Sequence, residues 1–209
     1  MACELAGRVG PLPDGLAPPD ALWDALTAGY ATPPRSYHTI EHIVEVARRF
    51  HEVPTWAHPR EVFLAVLFHD VVYDAALHDN EARSAVIARD AIARWLPDAG
   101  IDDDRVSALI LATASHGRPT GDLDDDAKHF LDCDLAVLGG DPDAYRRYAD
   151  GVRREYTAVV PPGAYDAGRG AFLRKLLAAP RLFLSDRFHQ RFDAAARRNL
   201  ADELAALTS

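Results

Sequence analysis

The chain has little cysteine, a deficit of positive charge and no long apolar run, and each shortage removes a class of function. Its two cysteines, Cys3 and Cys133, stand far apart, so no disulfide framework is indicated. Lys and Arg number 23 against 32 Asp and Glu, a formal net charge of −9. A surface of that sign repels phosphodiester backbones and anionic membranes, and no Lys/Arg run offsets it. Extended nucleic acid and membranes are therefore not expected partners. A small phosphorylated molecule is, because a bound dication and a few local arginines outweigh the global field inside a cleft. The longest apolar run, Val62 to Phe68, is too short to span a bilayer. The N-terminal MACELAGRVG has no basic segment followed by an apolar one, so the expected compartment is the cytoplasm. Period-two strand patterns and internal repeats are missing as well.

What is present is helical punctuation. A length of 209 residues with 48% hydrophobic and 26% charged residues fits one globular core. The expected organisation is an irregular Gly- and Pro-rich lead-in over residues 1–19, then a single all-α domain over 20–209. Asp20 is placed to cap a helix from Ala21 to Gly29. From His38 to about Phe50, the residues Ile43, Val46, Ala47 and Phe50 fall at helical spacing. Pro59 suits the first turn of a helix through EVFLAVLFHDVV, which is apolar on every face and so belongs in the interior. Asp79 or Asn80 can cap a helix that runs to Trp95, and Asp102 to Asp104 start another that ends near Ala114. The triplet Asp124-Asp125-Asp126 reads as a dipole-capping cluster for a helix from Ala127 to Leu138, closed by Gly139-Gly140. Helices from Asp143 to about Thr157, Tyr165 to Leu177 and Asp186 to Leu207 complete the pattern.

Two His-Asp pairs occur. His78-Asp79 lies in a polar loop ahead of a helix and reads as a turn and cap. His69-Asp70 instead ends the buried apolar helix, where an unpaired imidazole and carboxylate cost several kcal/mol unless compensated. Metal coordination supplies that compensation; a hydrogen-bonded His-Asp cap is the alternative. His38 and His42, four apart, are expected on one face of one helix, a second source of imidazole. In LDCD, Asp132 and Asp134 point roughly 200° apart on a regular helix, so at most one reaches the same ion. The other caps, pairs with an arginine or orients a ligand. Two imidazoles with carboxylates form a mixed N/O donor set that suits Mn, Fe, Co, Zn or Ni, and a water acidified there is a nucleophile for phosphoester hydrolysis.

The order His42, His69-Asp70, Asp134 resembles the H…HD…D signature of the HD-domain metal-dependent phosphohydrolases. More narrowly, YHTIEHI, LFHDVVYD, NEARSA, LDCDLAVLG, YRRYADGVRREY and YDAGR, between about Tyr37 and Arg169, are similar to a bacterial subfamily described as predicted HD phosphohydrolases. The resemblance implies a helical bundle, one or two divalent ions (Mn, Fe, Co, Zn, Ni or Mg) and hydrolysis of a phosphoester, often a nucleotide. It sets His42, His69, Asp70 and Asp134 on the metal-ligand positions and leaves His38 as an extra histidine. Asp70, Asp74, Glu81 and His116 are the candidate catalytic acids and bases, with a helix cap or an exposed site as the alternative for the last three. Arg35, His38, Arg153 and Arg169 are the candidate substrate contacts, arginine because its fork matches phosphate oxygens; the alternative is a structural role for each arginine, with Arg153 and Glu155 joining surface ion pairs. Tyr145 and Tyr148 are expected to pack on the core. A non-catalytic metal- or nucleotide-binding module is the competing function.

Overall fold

The computed structural model describes residues 2–114, 122–161 and 163–207. Among them are ten α-helices and one 3-10 turn, with no strand, as the all-α expectation required. The helices are α1 (Ala2–Arg8), α2 (Asp20–Tyr30), α3 (Ile40–Glu52), α4 (Pro59–Phe68) and α5 (Asn80–Trp95). They continue with α6 (Asp103–Thr113), α7 (Asp125–Leu135), α8 (Pro142–Thr157), α9 (Ala164–Leu177) and α10 (Asp186–Leu207), and the 3-10 turn Ala136–Gly139 follows α7. No helix is long and apolar enough to cross a membrane among the described residues.

Helix α4 is the axis of the core. Every side chain from Val62 to Phe68 is at most 2% exposed, which is why its sequence shows no polar face. It packs on α3, α5, α6 and α7, while α10 packs on α9 and the 3-10 turn. Side-chain caps set several starts: Asp102 accepts the Arg105 N–H, Asp124 the Ala127 N–H and Asp141 those of Asp143 and Ala144, each satisfying a donor the helix cannot.

Several expectations are corrected. Residues 1–19 are not wholly irregular: α1 packs on α2, and Leu5, Val9 and Leu16 are buried in the main core. Asp20 is the first residue of α2 rather than its cap, a position held by Pro19 with no side-chain bond. Asp79 holds the N-cap of α5 without a capping bond, and Asn80 turns its side chain to Asp74. Helix α3 starts at Ile40 because the Thr39 hydroxyl accepts the Glu41 N–H, so His38 precedes the helix that carries His42. Helix α7 tightens into the 3-10 turn instead of running to Leu138. Within the acidic triplet Asp124 is the cap, but buried Asp126 holds the Ala57 and His58 N–H groups and pairs with Arg105.

Candidate metal centre

Four side chains converge from three helices. His42 lies in the first turn of α3, His69 is the C-cap residue of α4, Asp70 follows it, and Asp134 lies near the end of α7. His42 Nε2 is 3.1 Å from Asp134 Oδ1 and 3.4 Å from Asp70 Oδ2. His69 Nε2 is 3.5 Å and 3.3 Å from the same two oxygens, and the two ring nitrogens are 3.2 Å apart. The imidazoles are buried, His42 at 5% and His69 at 1% exposure.

The tautomer of His69 decides what this cluster is. Its Nδ1 lies 3.0 Å from the Val66 carbonyl oxygen and donates to it, so the neutral ring turns the lone pair of Nε2 on the cluster. Lone pairs and carboxylates then face one another in a low-dielectric interior, an arrangement that calls for a proton or a cation. Protons answer in the metal-free state. Burial opposes charge on His69 and His42, yet Asp70 and Asp134 outweigh it and raise both imidazoles, His69 well above its ordinary value. Burial opposes the charge of Asp70 in the same way, and the histidines hold it well below the ordinary carboxylate range. A cation also fits. Ligands at about 2.0–2.2 Å from a metal stand about 2.8–3.6 Å from one another, and the observed separations of 3.1–3.5 Å lie in that range. His42, His69 and Asp134 could hold a metal ion, and Asp70 reaches the same two nitrogens.

Beside the cluster opens a cavity of ≈ 680 Å³ lined in part by Asp70 and Asp134. Its walls are aromatic: Tyr37, Tyr73, Tyr148, Tyr156, Tyr165 and Phe172. His38 and Glu81 also line it, as does His78 from the second His-Asp pair.

The remaining sequence candidates divide. Asp132 is fully buried and turned away, accepting the Leu184 and Ser185 N–H groups and the Ser185 hydroxyl, so it organises the start of α10. Asp74 is exposed and accepts the Ala76 N–H in a turn. Arg35 is committed to the carbonyl oxygens of His38, Asp70 and Val71. Arg153 pairs with Asp166, and Arg169 reaches the cavity wall but is forked on Glu203. Both arginines take the ion-pair alternative. Tyr145 is buried against Glu203, and Tyr148 packs against the core as expected while also lining the cavity. His116 lies outside the described residues.

Glu155 of α8, expected in a surface ion pair, instead belongs to this region, while Arg153 pairs with Asp166. Only 2% exposed, Glu155 accepts the backbone N–H groups of Ser36, Tyr37 and His38 and the ring Nδ1–H of His38. These partners lie 117–119 residues away in sequence, so no local spacing marked them.

No family model, no curated protein and no solved structure matches the chain.

Proposed function

We propose that the chain is a metal-dependent phosphohydrolase of the HD type, acting on a small phosphoester, a nucleotide or a relative of one. The observation that carries the reading is the convergence of two imidazoles and two carboxylates beside an open cavity, with His69 oriented by the Val66 carbonyl. When bound, a divalent cation supplies a Lewis acid for phosphoryl oxygens and lowers the pKa of water toward neutrality. His42, His69, Asp70 and Asp134 are the residues to hold it. Glu81, the cavity carboxylate outside the cluster, is the candidate proton acceptor. Aromatic walls favour a substrate with a flat body.

The test is a panel of nucleotides and other phosphorylated metabolites offered to protein loaded separately with Mn, Co, Mg or Ni. Release of phosphate from one class of ester is expected. Silence across the panel with metal bound contradicts hydrolysis and favours the binding-module function.

A further inference from the structure

We propose that Glu155 is a positioning residue of the cavity, aiming Nε2 of His38 at the substrate's phosphoryl group beside Asp70. This rests on the phosphohydrolase reading of the site. A buried carboxylate is costly unless its lone pairs are satisfied, and those of Glu155 are satisfied entirely by one turn. Oε1 accepts the N–H groups of Ser36 at 2.7 Å, Tyr37 at 2.7 Å and His38 at 3.1 Å, and Oε2 accepts Nδ1–H of His38 at 2.8 Å. Burial opposes the charge on Glu155, but His38 and the backbone donors outweigh it and hold the carboxyl at about 2.

Three consecutive N–H groups already bind the carboxylate, so the imidazole is not needed to satisfy the turn. What it adds is direction. With Nδ1–H on Glu155, Nε2 is the nitrogen left at the far edge of the ring, and His38 lines the cavity together with Asp70. The ring is gripped on its face by Tyr73, 3.8 Å between centroids, and on its edge by Tyr37 at 4.9 Å.

Two further features fix the turn relative to the cluster. The Arg35 guanidinium ties the His38 carbonyl at 2.7 Å to those of Asp70 and Val71, each at 2.8 Å, joining the turn to the His69-Asp70 segment. One helical turn before Glu155, Gly151 leaves α8 bare where the turn lies: a Cβ there would be 2.9 Å from Tyr37 Cβ and 3.3 Å from the Ser36 oxygen. Helix α8 thus presents a groove at Gly151 and an anchor at Glu155, both to residues 36–38.

Two substitutions separate direction from structure. His38→Asn keeps an amide N–H near the Nδ1 position for Glu155 but removes the far edge of the ring; His38→Gln puts an amide near the Nε2 position. In manganese-loaded full-length chain, calorimetric titration reads inorganic phosphate binding, and manganese binding is measured separately. His38→Asn should weaken phosphate binding tenfold or more while manganese affinity stays within about threefold of wild type, and His38→Gln should recover part of the loss. Glu155→Gln should reproduce the phosphate defect with manganese retained. The imidazole ¹⁵N resonances of zinc-loaded wild type provide a reading that needs no variant: His38 should carry a proton on Nδ1, and its Nε2 resonance should shift when phosphate is added, because Nε2 then carries the N–H that donates to a phosphate oxygen. Unchanged phosphate affinity in His38→Asn overturns the proposal, as does parallel loss of manganese, absence of phosphate binding by wild type, or an Nε2 resonance unmoved by phosphate. His38-dependent phosphate binding in a protein that hydrolyses no ester sustains the proposal and overturns the hydrolase reading instead.

Discussion

Two residues apart on α7, Asp132 and Asp134 serve different parts of the molecule. Asp134 meets the imidazoles, and Asp132 holds the Leu184–Ser185 segment. Asp134→Asn should lower metal affinity tenfold or more. Asp132→Asn should leave the ion bound and cost about 1–3 kcal/mol of stability, because two backbone donors and a hydroxyl lose a charged acceptor. Metal content and urea unfolding of the two purified variants check both halves. The cluster also sets a pH dependence of the metal-free chain. His69 and His42 are raised in the fold, so their contribution is complete below the unfolded value of about 6.5 and is lost as pH rises through the raised folded values. Asp70 is depressed, so its contribution is present above about 3.9 and is lost as pH falls further. Metal-free wild type should therefore lose stability relative to His69→Ala as pH rises above about 6.5, as read by denaturant midpoints; a difference that grows with pH contradicts the sign. Metal affinity should move oppositely, because the ligating imidazoles must be deprotonated. His69 and Asp70 were legible in sequence because an apolar helix ending in His-Asp requires a polar solution, whereas His42 and Asp134 were singled out by the resemblance to the H…HD…D signature. The role of Glu155 was not legible, since its partners come from a remote turn. The placement of His38 outside α3 had a signal in Thr39, a favoured N-cap residue.

At the scale of elements, caps and periodicity located α2 to α10 to within a few residues, and the errors have physical causes. Helix α1 is only seven residues long and lies in a Gly- and Pro-rich stretch; such a helix has no stability of its own and forms through the burial of Leu5 and Val9 against its neighbours. Past the end of regular α7, the 3-10 turn packs closely on α10. At Gly139, which closes the 3-10 turn, a Cβ would stand 2.6 Å from Phe192 Cβ and 2.7 Å from the Phe192 carbonyl oxygen of α10. Gly139→Ala should accordingly cost about 1–3 kcal/mol despite alanine's better propensity, lowering the melting temperature by about 2–4 °C per kcal/mol. An unchanged melting temperature would show that α10 yields without cost. In α4, Phe63 has no exposed surface, and Phe63→Ala should cost about 3–5 kcal/mol, measured by the shift of the denaturation midpoint.

For the whole molecule, the pattern EVFLAVLFHDVV predicted one helix inside the core, and α4 occupies that place with α3, α5, α6 and α7 packed on it. With a net charge of −9, an anionic substrate would need a local device to hold it, and a cation held by the cluster would reverse the sign of the field there. Elsewhere arginines that could have done so are neutralised, Arg169 by Glu203 and Arg153 by Asp166. The central claim is therefore that this fold holds a metal at His42, His69, Asp70 and Asp134. Elemental analysis of chain purified without chelator tests it most directly, paired with thermal unfolding before and after chelation and with the double variants His69→Ala/Asp70→Ala and His78→Ala/Asp79→Ala. At least one transition-metal ion per chain is expected in wild type and in the His78/Asp79 variant, with loss of the ion and of thermal stability in the His69/Asp70 variant or after chelation. A metal-free, fully folded wild type that gains no stability from any divalent ion, or equal metal loss from both variants, contradicts it.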